Sequence, residues 1–269
     1  MPKIHSHREH TLTGAFGFHR SFPSRFLPHD RDVIVYLPPR YNRTKKTRYP
    51  VLYLHDGQNL FDGATAFIPG REWRVDETAQ RLIKAGAIEP LIIVGIYNTG
   101  LDRVDEYTPT QDDRLKKGGK ADLYGRMIVE ELKPFIDDNY RTLSGREHTG
   151  LGGSSLGGLV SLHLGLRYAH VFSKLAIISP SAWWDNRVII REVESLEWKP
   201  PLSIWLDIGT AEGDAVHALP PLRDALIEKG WELGSDLMYF EVPEAVHDEN
   251  AWADRVEPIL RFLFPSKRD

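Results

Sequence analysis

The segment HTGLGGSSLGG, residues 148–158, is the most informative part of the sequence, and it runs directly into the apolar stretch LVSLHLGL, residues 159–166. The segment holds one G-x-S-x-G pattern, centred on Ser155. Glycines on either side of a serine let the chain turn sharply from a strand into a helix and expose the hydroxyl at the tip. Ser154 does not fit, because its second glycine would have to be Leu156. The pattern predicts Ser155 as a nucleophile at the head of a helix.

The composition limits the classes of function. Among 269 residues, 41% are hydrophobic and the net charge of −4 comes from interspersed acidic and basic residues, so neither a nucleic acid nor a membrane partner is expected. The absence of cysteine excludes disulfides, thiol nucleophiles and thiolate metal sites. No apolar leader or spanning segment is visible, which favours a cytoplasmic location. Nothing in the sequence indicates the oligomeric state.

Strand and helix patterns alternate along the chain, and we expect a single domain over residues 1–269. Short apolar runs predict buried parallel strands at 51–54, 91–96, 175–178, 202–208 and 237–242. Helical patterns separate or follow them at 75–85, 122–137, 187–195, 219–229 and 250–264. The alternation predicts an α/β fold, with a mainly parallel central sheet and helices on both faces.

Two further segments complete this prediction. Residues 1–30 form an N-terminal edge segment, and proline-punctuated strand pieces at 16–19 and 32–37 predict an antiparallel edge of the sheet. Residues 98–121 are polar and follow a predicted buried strand. Such an excursion at the carboxyl end of a strand typically contributes to a binding site.

Serine needs a base within hydrogen-bond reach, and that base needs a carboxylate to orient it. Glu212 lies in the loop after the strand predicted at 202–208, and His247 lies in the loop after the strand at 237–242. The chain order of nucleophile, acid and histidine is typical of α/β-hydrolases. These residues are therefore the candidate partners of Ser155.

Other histidines are alternative candidates for the base, and residues 247–249 are a candidate metal site. His163 follows the serine on its helix, where a role on the helix surface is favoured, and His55 lies in a loop better suited to binding an oxyanion. Residues 247–249 are adjacent, so they would rarely converge on one ion, and no H-E-x-x-H spacing occurs. We expect neither a metal nor a cofactor.

A tetrahedral intermediate requires two N–H donors. One is expected from Leu156, the residue after the nucleophile, and the other from the loop after the strand at 51–54. In that loop Gly57 would allow a tight turn that presents the N–H of Gln58.

Four motifs together carry a family resemblance: YPVLYLHDGQNLF (49–61), GGSSLGG (152–158), SPSAWW (179–184) and GTAE (209–212). They resemble the putative-esterase (esterase D-like) family, which includes enterochelin, feruloyl and acetyl-xylan esterases, S-formylglutathione hydrolases and mycolyltransferases. The resemblance implies an α/β-hydrolase fold.

The same resemblance assigns roles to individual residues. It implies Ser155 as nucleophile, His247 as base and Glu212 as acid, with oxyanion N–H groups from Gln58 and Leu156. Many members have aspartate where this chain has Glu212, so Asp214 nearby is an alternative acid.

We therefore expect a serine carboxylic-ester hydrolase that works through an acyl-enzyme on a small aryl, sugar or siderophore-type ester. Trp183 and Trp184 are predicted to form a wall for the substrate, with at least one lining the pocket beside Ser155, and Asp56 is a further candidate for substrate binding. The alternatives are an acyltransferase, an S-formylglutathione hydrolase-like thioesterase and a non-catalytic ligand-binding protein of the same fold.

Overall fold

The computed structural model describes residues 10–43 and 45–266. Within these residues the strands are β1 (Ala15–Phe22), β2 (Arg31–Leu37), β3 (Val51–His55), β4 (Ile92–Ile96), β5 (Gln111–Asp112), β6 (Lys117–Gly118), β7 (Thr149–Ser154), β8 (Lys174–Ile178), β9 (Ser203–Gly209) and β10 (Leu237–Val242). Eight of them form one sheet in the order β1-β2-β4-β3-β7-β8-β9-β10. β2 pairs antiparallel with β1 and β4, and the remaining neighbours pair parallel. The predicted antiparallel edge is confirmed from residue 10 onward, and the first nine residues of segment 1–30 lie outside the described residues.

The helices are α1 (Val75–Lys84), α2 (Arg103–Glu106), α3 (Ala121–Arg126), α4 (Lys133–Asn139), α5 (Leu156–Arg167), α6 (Trp184–Glu194), α7 (Leu219–Glu228), α8 (Glu249–Ala253) and α9 (Val256–Leu263). Helices α3 to α7 contribute to the core on one face of the sheet, and α1 and α9 to the core on the other. Along β3, Val51 and Tyr53 join the first core, while Leu52 and Leu54 join the second. Alternate side chains enter opposite cores, which is why these strands are continuously apolar.

The helix predicted over 122–137 is present but irregular. A π-helical segment, Met127–Leu132, separates α3 from α4, and Pro134 lies in the first turn of α4. Proline cannot donate to the carbonyl four residues earlier, so it is tolerated where a regular helix begins. The closing helix predicted over 250–264 is likewise divided into α8 and α9.

The excursion over residues 98–121 contains more structure than its polar composition suggested. It holds the short helix α2 and a hairpin in which β5 pairs antiparallel with β6. It leaves the sheet after β4, at the same edge at which β3 and β7 end. This edge is where the candidate site lies.

Candidate active site

The G-x-S-x-G turn joins β7 to α5 as predicted. Ser155 has φ 59° and ψ −123°, a strained backbone conformation for a residue with a side chain. The turn is so tight that a Cβ on Gly153 would lie only 3.1 Å from the backbone of Gly157, so glycine is favoured there. The main-chain N–H of Ser155 donates to the carbonyl of Ile178 on β8 (3.0 Å), which fixes the turn to the sheet.

Glu212 and His247 are brought together by two loops that hydrogen-bond to each other. The N–H of Ala211, in the loop after β9, donates to the carbonyl of Ala245 in the loop after β10 (3.1 Å). A Cβ on Gly209 would lie 2.1 Å from that carbonyl oxygen, so this approach requires glycine. As a result, Nδ1 of His247 lies 2.7 Å from Oε2 of Glu212.

The other oxygen of Glu212, Oε1, accepts hydrogen bonds from the Ser179 hydroxyl (2.6 Å) and from the N–H of Gly209 (2.7 Å). Arg255 lies slightly farther away, with Nη2 3.5 Å from Oε1. Burial alone would raise the pKa of Glu212, but the hydrogen bonds from His247, Ser179 and Gly209 outweigh it and lower the pKa below its ordinary value. Glu212 is therefore a carboxylate that can hold the imidazole in one orientation.

A buried polar network supports this carboxylate. Arg255 donates to the Ser179 hydroxyl (3.1 Å) and forms an ion pair with Asp207 (2.6 Å), and the indole of Trp252 also donates to Ser179 (3.2 Å). The ring of Trp252 lies edge-on to His247, with 4.9 Å between the centroids. These contacts restrict both members of the Glu212–His247 pair.

Asp214, the alternative acid, lies elsewhere. It is exposed in the helical turn Gly213–Ala218 and has no hydrogen bond to His247 among the described residues. The loop geometry thus places Glu212, and not Asp214, against the histidine.

The two main-chain groups expected to bind an oxyanion lie at the starts of helical turns. Gln58 belongs to the 3₁₀ turn Gly57–Asn59 after β3, and Leu156 is the first residue of α5. Within the described part of the chain, neither N–H has a hydrogen-bond partner. Unpaired N–H groups at helix starts attract negative charge.

Gly57 does not supply the left-handed conformation in that turn. Asp56 does, with φ 56° and ψ 46°. Gly57 is instead needed for packing, because a Cβ there would lie 2.6 Å from the carbonyl carbon of Gly95 on β4.

A cavity of about 560 Å³ opens beside Ser155 and is also lined by His247, Gln58 and Asp56. Its remaining walls combine aromatic rings with polar groups: Phe67, Trp73, Tyr97 and Trp252, and Asn59, Thr65, Asn98, Gly100, Arg103, Ser154 and Glu249. A mainly apolar cavity with a few convergent polar groups is typical of a site for a small molecule.

Ser155 and His247 share this cavity but are not hydrogen-bonded to each other in the described structure. The Ser155 hydroxyl oxygen instead lies 3.4 Å from the hydroxyl oxygen of Ser181. Hydrogen bonds between a nucleophile and its base are often long or poorly aligned before substrate binds.

The predicted tryptophan wall requires a correction. Trp184 is only 2% exposed, and its indole N–H donates to the carbonyl of Thr110 (3.0 Å), so it is a core residue. Trp183 is 48% exposed but does not line the cavity. The three residues after Trp184 have left-handed backbone angles, so the chain does not continue from Trp183 as a regular right-handed helix. The aromatic walls come from other segments, with Phe67, Trp73 and Tyr97 in loops and Trp252 in α8.

The competing histidines are engaged elsewhere. His55 is fully buried with Nδ1 2.8 Å from the Tyr124 hydroxyl, and burial lowers its pKa to about 3, so it stays neutral. His163 lies between Glu192 (2.8 Å) and Asp122 (3.1 Å) on the flank of α5. Neither residue lines the cavity.

Several residues at the site were not predicted from the sequence. Asn98 and Arg103 both contact Asp56 from the excursion, and Arg255, in the turn between α8 and α9, lies near Glu212. Trp252 of α8 donates to Ser179, which in turn donates to Glu212. Asn98 was detectable, since it follows β4 closely at the edge where β3 and β7 end. A buried arginine such as Arg255 gives no such signal, because charged residues in amphipathic helices usually face solvent.

The chain is similar to known proteins over most of its length. Residues 24–263 match the family described as putative esterase. The chain is 29% identical to the uncharacterized protein YbbA of Bacillus subtilis, over 96% of this chain and 99% of YbbA. It is 31% identical to a siderophore enterobactin esterase of Emericella nidulans, over 52% of this chain and 49% of that protein.

Among solved structures, a ferulic acid esterase superposes with a TM-score of 0.75 at 19% identity, covering 93% of this chain and 98% of its own. This likeness supports the fold. In the described part of the chain, no helix is both long and apolar enough to cross a bilayer. The protein belongs to the putative esterase family, and it is a carboxylic ester hydrolase with the α/β-hydrolase fold.

Proposed function

We propose that this esterase is a serine hydrolase in which Ser155 is the nucleophile, His247 the general base and Glu212 the orienting acid. The observation that carries the proposal is the 2.7 Å contact between Nδ1 of His247 and Oε2 of Glu212, at a cavity that Ser155 also lines. With Nδ1–H donating to the carboxylate, Nε2 carries the lone pair that can accept the Ser155 proton.

The reaction follows from these positions. His247 takes the proton from the Ser155 hydroxyl as its oxygen attacks the ester carbonyl, and the negative charge on the carbonyl oxygen develops between the N–H groups of Gln58 and Leu156. Collapse of the intermediate expels the alkoxide, which receives the proton from His247. A water molecule, deprotonated in turn by His247, then hydrolyses the acyl-enzyme and restores Ser155.

For the substrate, we propose a small ester with an aromatic group, of the aryl or siderophore type. The rings of Phe67, Trp73, Tyr97 and Trp252 line the cavity and offer flat apolar surface. Relatives named as enterobactin and ferulic acid esterases point in the same direction. Initial rates on feruloyl, catecholate-trilactone, acetyl-sugar and long-chain acyl esters test this class, and a preference for the long acyl chains would contradict it.

The nucleophile is tested by labelling and by mutation. An organophosphate should modify Ser155, as located by mass spectrometry, and Ser155→Ala should lower kcat by at least about a thousandfold, the loss typical of removing a catalytic triad member.

Ser154→Ala is the matched control, since Ser154 is the adjacent hydroxyl and is nearly buried. It should still be labelled on Ser155. A label on Ser154, or full activity in the Ser155 variant, would overturn the assignment. Adding alcohols and analysing the products would show whether the acyl-enzyme also transfers to acceptors other than water.

A further inference from the structure

Asp56 has an unusual backbone for its position. It lies directly between β3 and the 3₁₀ turn that contains Gln58, with φ 56° and ψ 46°. Aspartate tolerates this left-handed conformation better than most residues but still less readily than glycine. Such strain persists only where the surroundings hold it, and it is concentrated at functional sites. The contacts around Asp56 therefore bear on how Gln58 is placed.

The Asp56 carboxylate is fully engaged by the protein. Arg103 donates from Nε to Oδ1 (2.8 Å) and from Nη2 to Oδ2 (2.7 Å), and the side-chain amide of Asn98 also donates to Oδ1 (2.7 Å). The side chain of Asp56 is only 8% exposed. The main-chain N–H of Asp56 donates to the Tyr107 hydroxyl (3.3 Å). Little of this carboxylate is left for a substrate.

The turn itself is confined from two sides. A Cβ on Gly57 would lie 2.6 Å from the carbonyl carbon of Gly95, so the turn rests against the backbone of β4. From the excursion, the N–H of Asn98 donates to the side-chain oxygen of Gln58 (3.3 Å). The turn that carries the Gln58 N–H thus packs against β4 and receives one long hydrogen bond from the excursion.

Arg103 is in turn fixed to the sheet through its own short helix. Glu106, on the same helix α2, makes two hydrogen bonds to Arg31 of β2, each 3.0 Å long, and both side chains are buried. A bidentate pair of this kind defines position and orientation. Helix α2 therefore connects β2 to the turn after β3 through one ion pair at each end.

We propose that Asp56 and Arg103 are positioning residues that hold the Gln58 N–H toward the developing oxyanion, and that they do not bind the substrate. This inference rests on the proposed serine mechanism, and it gives the excursion over residues 98–121 a role in assembling the oxyanion site. Burial raises the pKa of Asp56, but Arg103 and Asn98 outweigh that effect and hold the pKa below its ordinary value. The ion pair accordingly stays charged at neutral pH.

The test separates binding of the transition state from binding of the ground state in the enzyme of residues 1–269. Asp56→Asn keeps the shape and the tolerance for a left-handed backbone but removes the charge, and Arg103→Lys keeps the charge but loses the planar fork. Each variant should lower kcat about tenfold or more and change KM less than about threefold. Removing an oxyanion donor lowers kcat by roughly 10²–10³, and displacing the donor should cost less than removing it.

Two ketone inhibitors give the deciding measurement. An aryl trifluoromethyl ketone adds to the serine and forms an oxyanion, whereas the matching aryl methyl ketone binds essentially as a ground-state analogue. The inhibition constant of the first should rise in proportion to the loss in kcat/KM, and that of the second should stay unchanged. Equal weakening of both inhibitors together with a raised KM would show that Asp56 and Arg103 bind substrate, and would overturn the inference.

Lys120→Gln is the matched control, because the Lys120–Asp105 pair (2.9 Å) lies in the same excursion and does not contact Asp56. It should leave kcat unchanged. Organophosphate labelling of Ser155 in every variant keeps the two proposals separate. If Ser155 is not labelled in the native enzyme, the serine mechanism fails. If Ser155 is labelled but both variants keep the native kcat, only the positioning role fails. If Asp56→Asn does not fold, the kcat of Arg103→Lys alone tests the positioning role.

Discussion

Two buried carboxylates lie at the candidate site, Asp56 on the cavity wall and Glu212 against His247, and their hydrogen bonding differs in one respect. Each has an arginine nearby, Arg103 at Asp56 and Arg255 at Glu212. Both oxygens of Asp56 accept hydrogen bonds from the protein scaffold. In Glu212, Oε1 accepts bonds from the scaffold, whereas Oε2 contacts only His247 among the described residues.

This difference indicates two uses of the same functional group. A carboxylate with both oxygens engaged fixes the backbone around it, which suits Asp56 and the turn that carries Gln58. A carboxylate that keeps one oxygen for a neighbouring imidazole can orient that imidazole and stabilise it when it becomes charged, which suits Glu212. The position of each carboxylate in the sequence does not distinguish the two uses, since both residues follow strands at the same edge of the sheet.

The largest effect is expected at Glu212, whose Oε2 contacts His247. Glu212→Gln should lower kcat by about 10³–10⁴, because an amide cannot stabilise the imidazolium and can favour the wrong tautomer of His247. Asp214→Asn is the control and should change kcat less than about threefold, as an exposed substitution away from such contacts does. Steady-state kinetics on one aryl ester measure both variants, and the reverse ranking would assign the acid role to Asp214.

A smaller effect, on stability, is expected when the two arginines are compared. Arg255→Gln leaves Asp207 buried without its ion pair, at a cost of about 3–5 kcal/mol in the free energy of unfolding. Arg103→Gln should cost about 1–3 kcal/mol, since Arg103 is 25% exposed and cavity water can reach Asp56. Denaturant unfolding of the two variants measures both values. Equal losses would show that the two ion pairs are equivalent structurally.

The smallest effect concerns the Gln58 side chain. Gln58→Ala keeps the main-chain N–H and removes one long hydrogen bond, the 3.3 Å contact from the N–H of Asn98. We expect kcat to stay within about threefold of the native value, because a neutral hydrogen bond contributes about 0.5–1.5 kcal/mol and water can replace this one. A loss of a hundredfold or more, measured with the same aryl ester, would mean that the side chain and not the backbone binds the oxyanion.

Sequence patterns were sufficient to predict the order of the main strands and helices along the chain and the position of the serine turn. Continuously apolar runs such as 51–54 occur because side chains enter a core on each face of the sheet, and the glycines around Ser155 are required by the turn itself. These are local requirements of the backbone, so they leave a local pattern in the sequence.

Tertiary packing determines which distant side chains meet. Glu212 is preferred to Asp214 because the loops after β9 and β10 hydrogen-bond to each other. Trp184 is a core residue because the excursion supplies the carbonyl of Thr110 as its partner. Arg103 contacts Asp56, which lies 47 positions away in the sequence, and Arg255 contacts Asp207, which lies 48 positions away. Such contacts depend on where the packed sheet brings the loops together, and no spacing along the chain records that geometry.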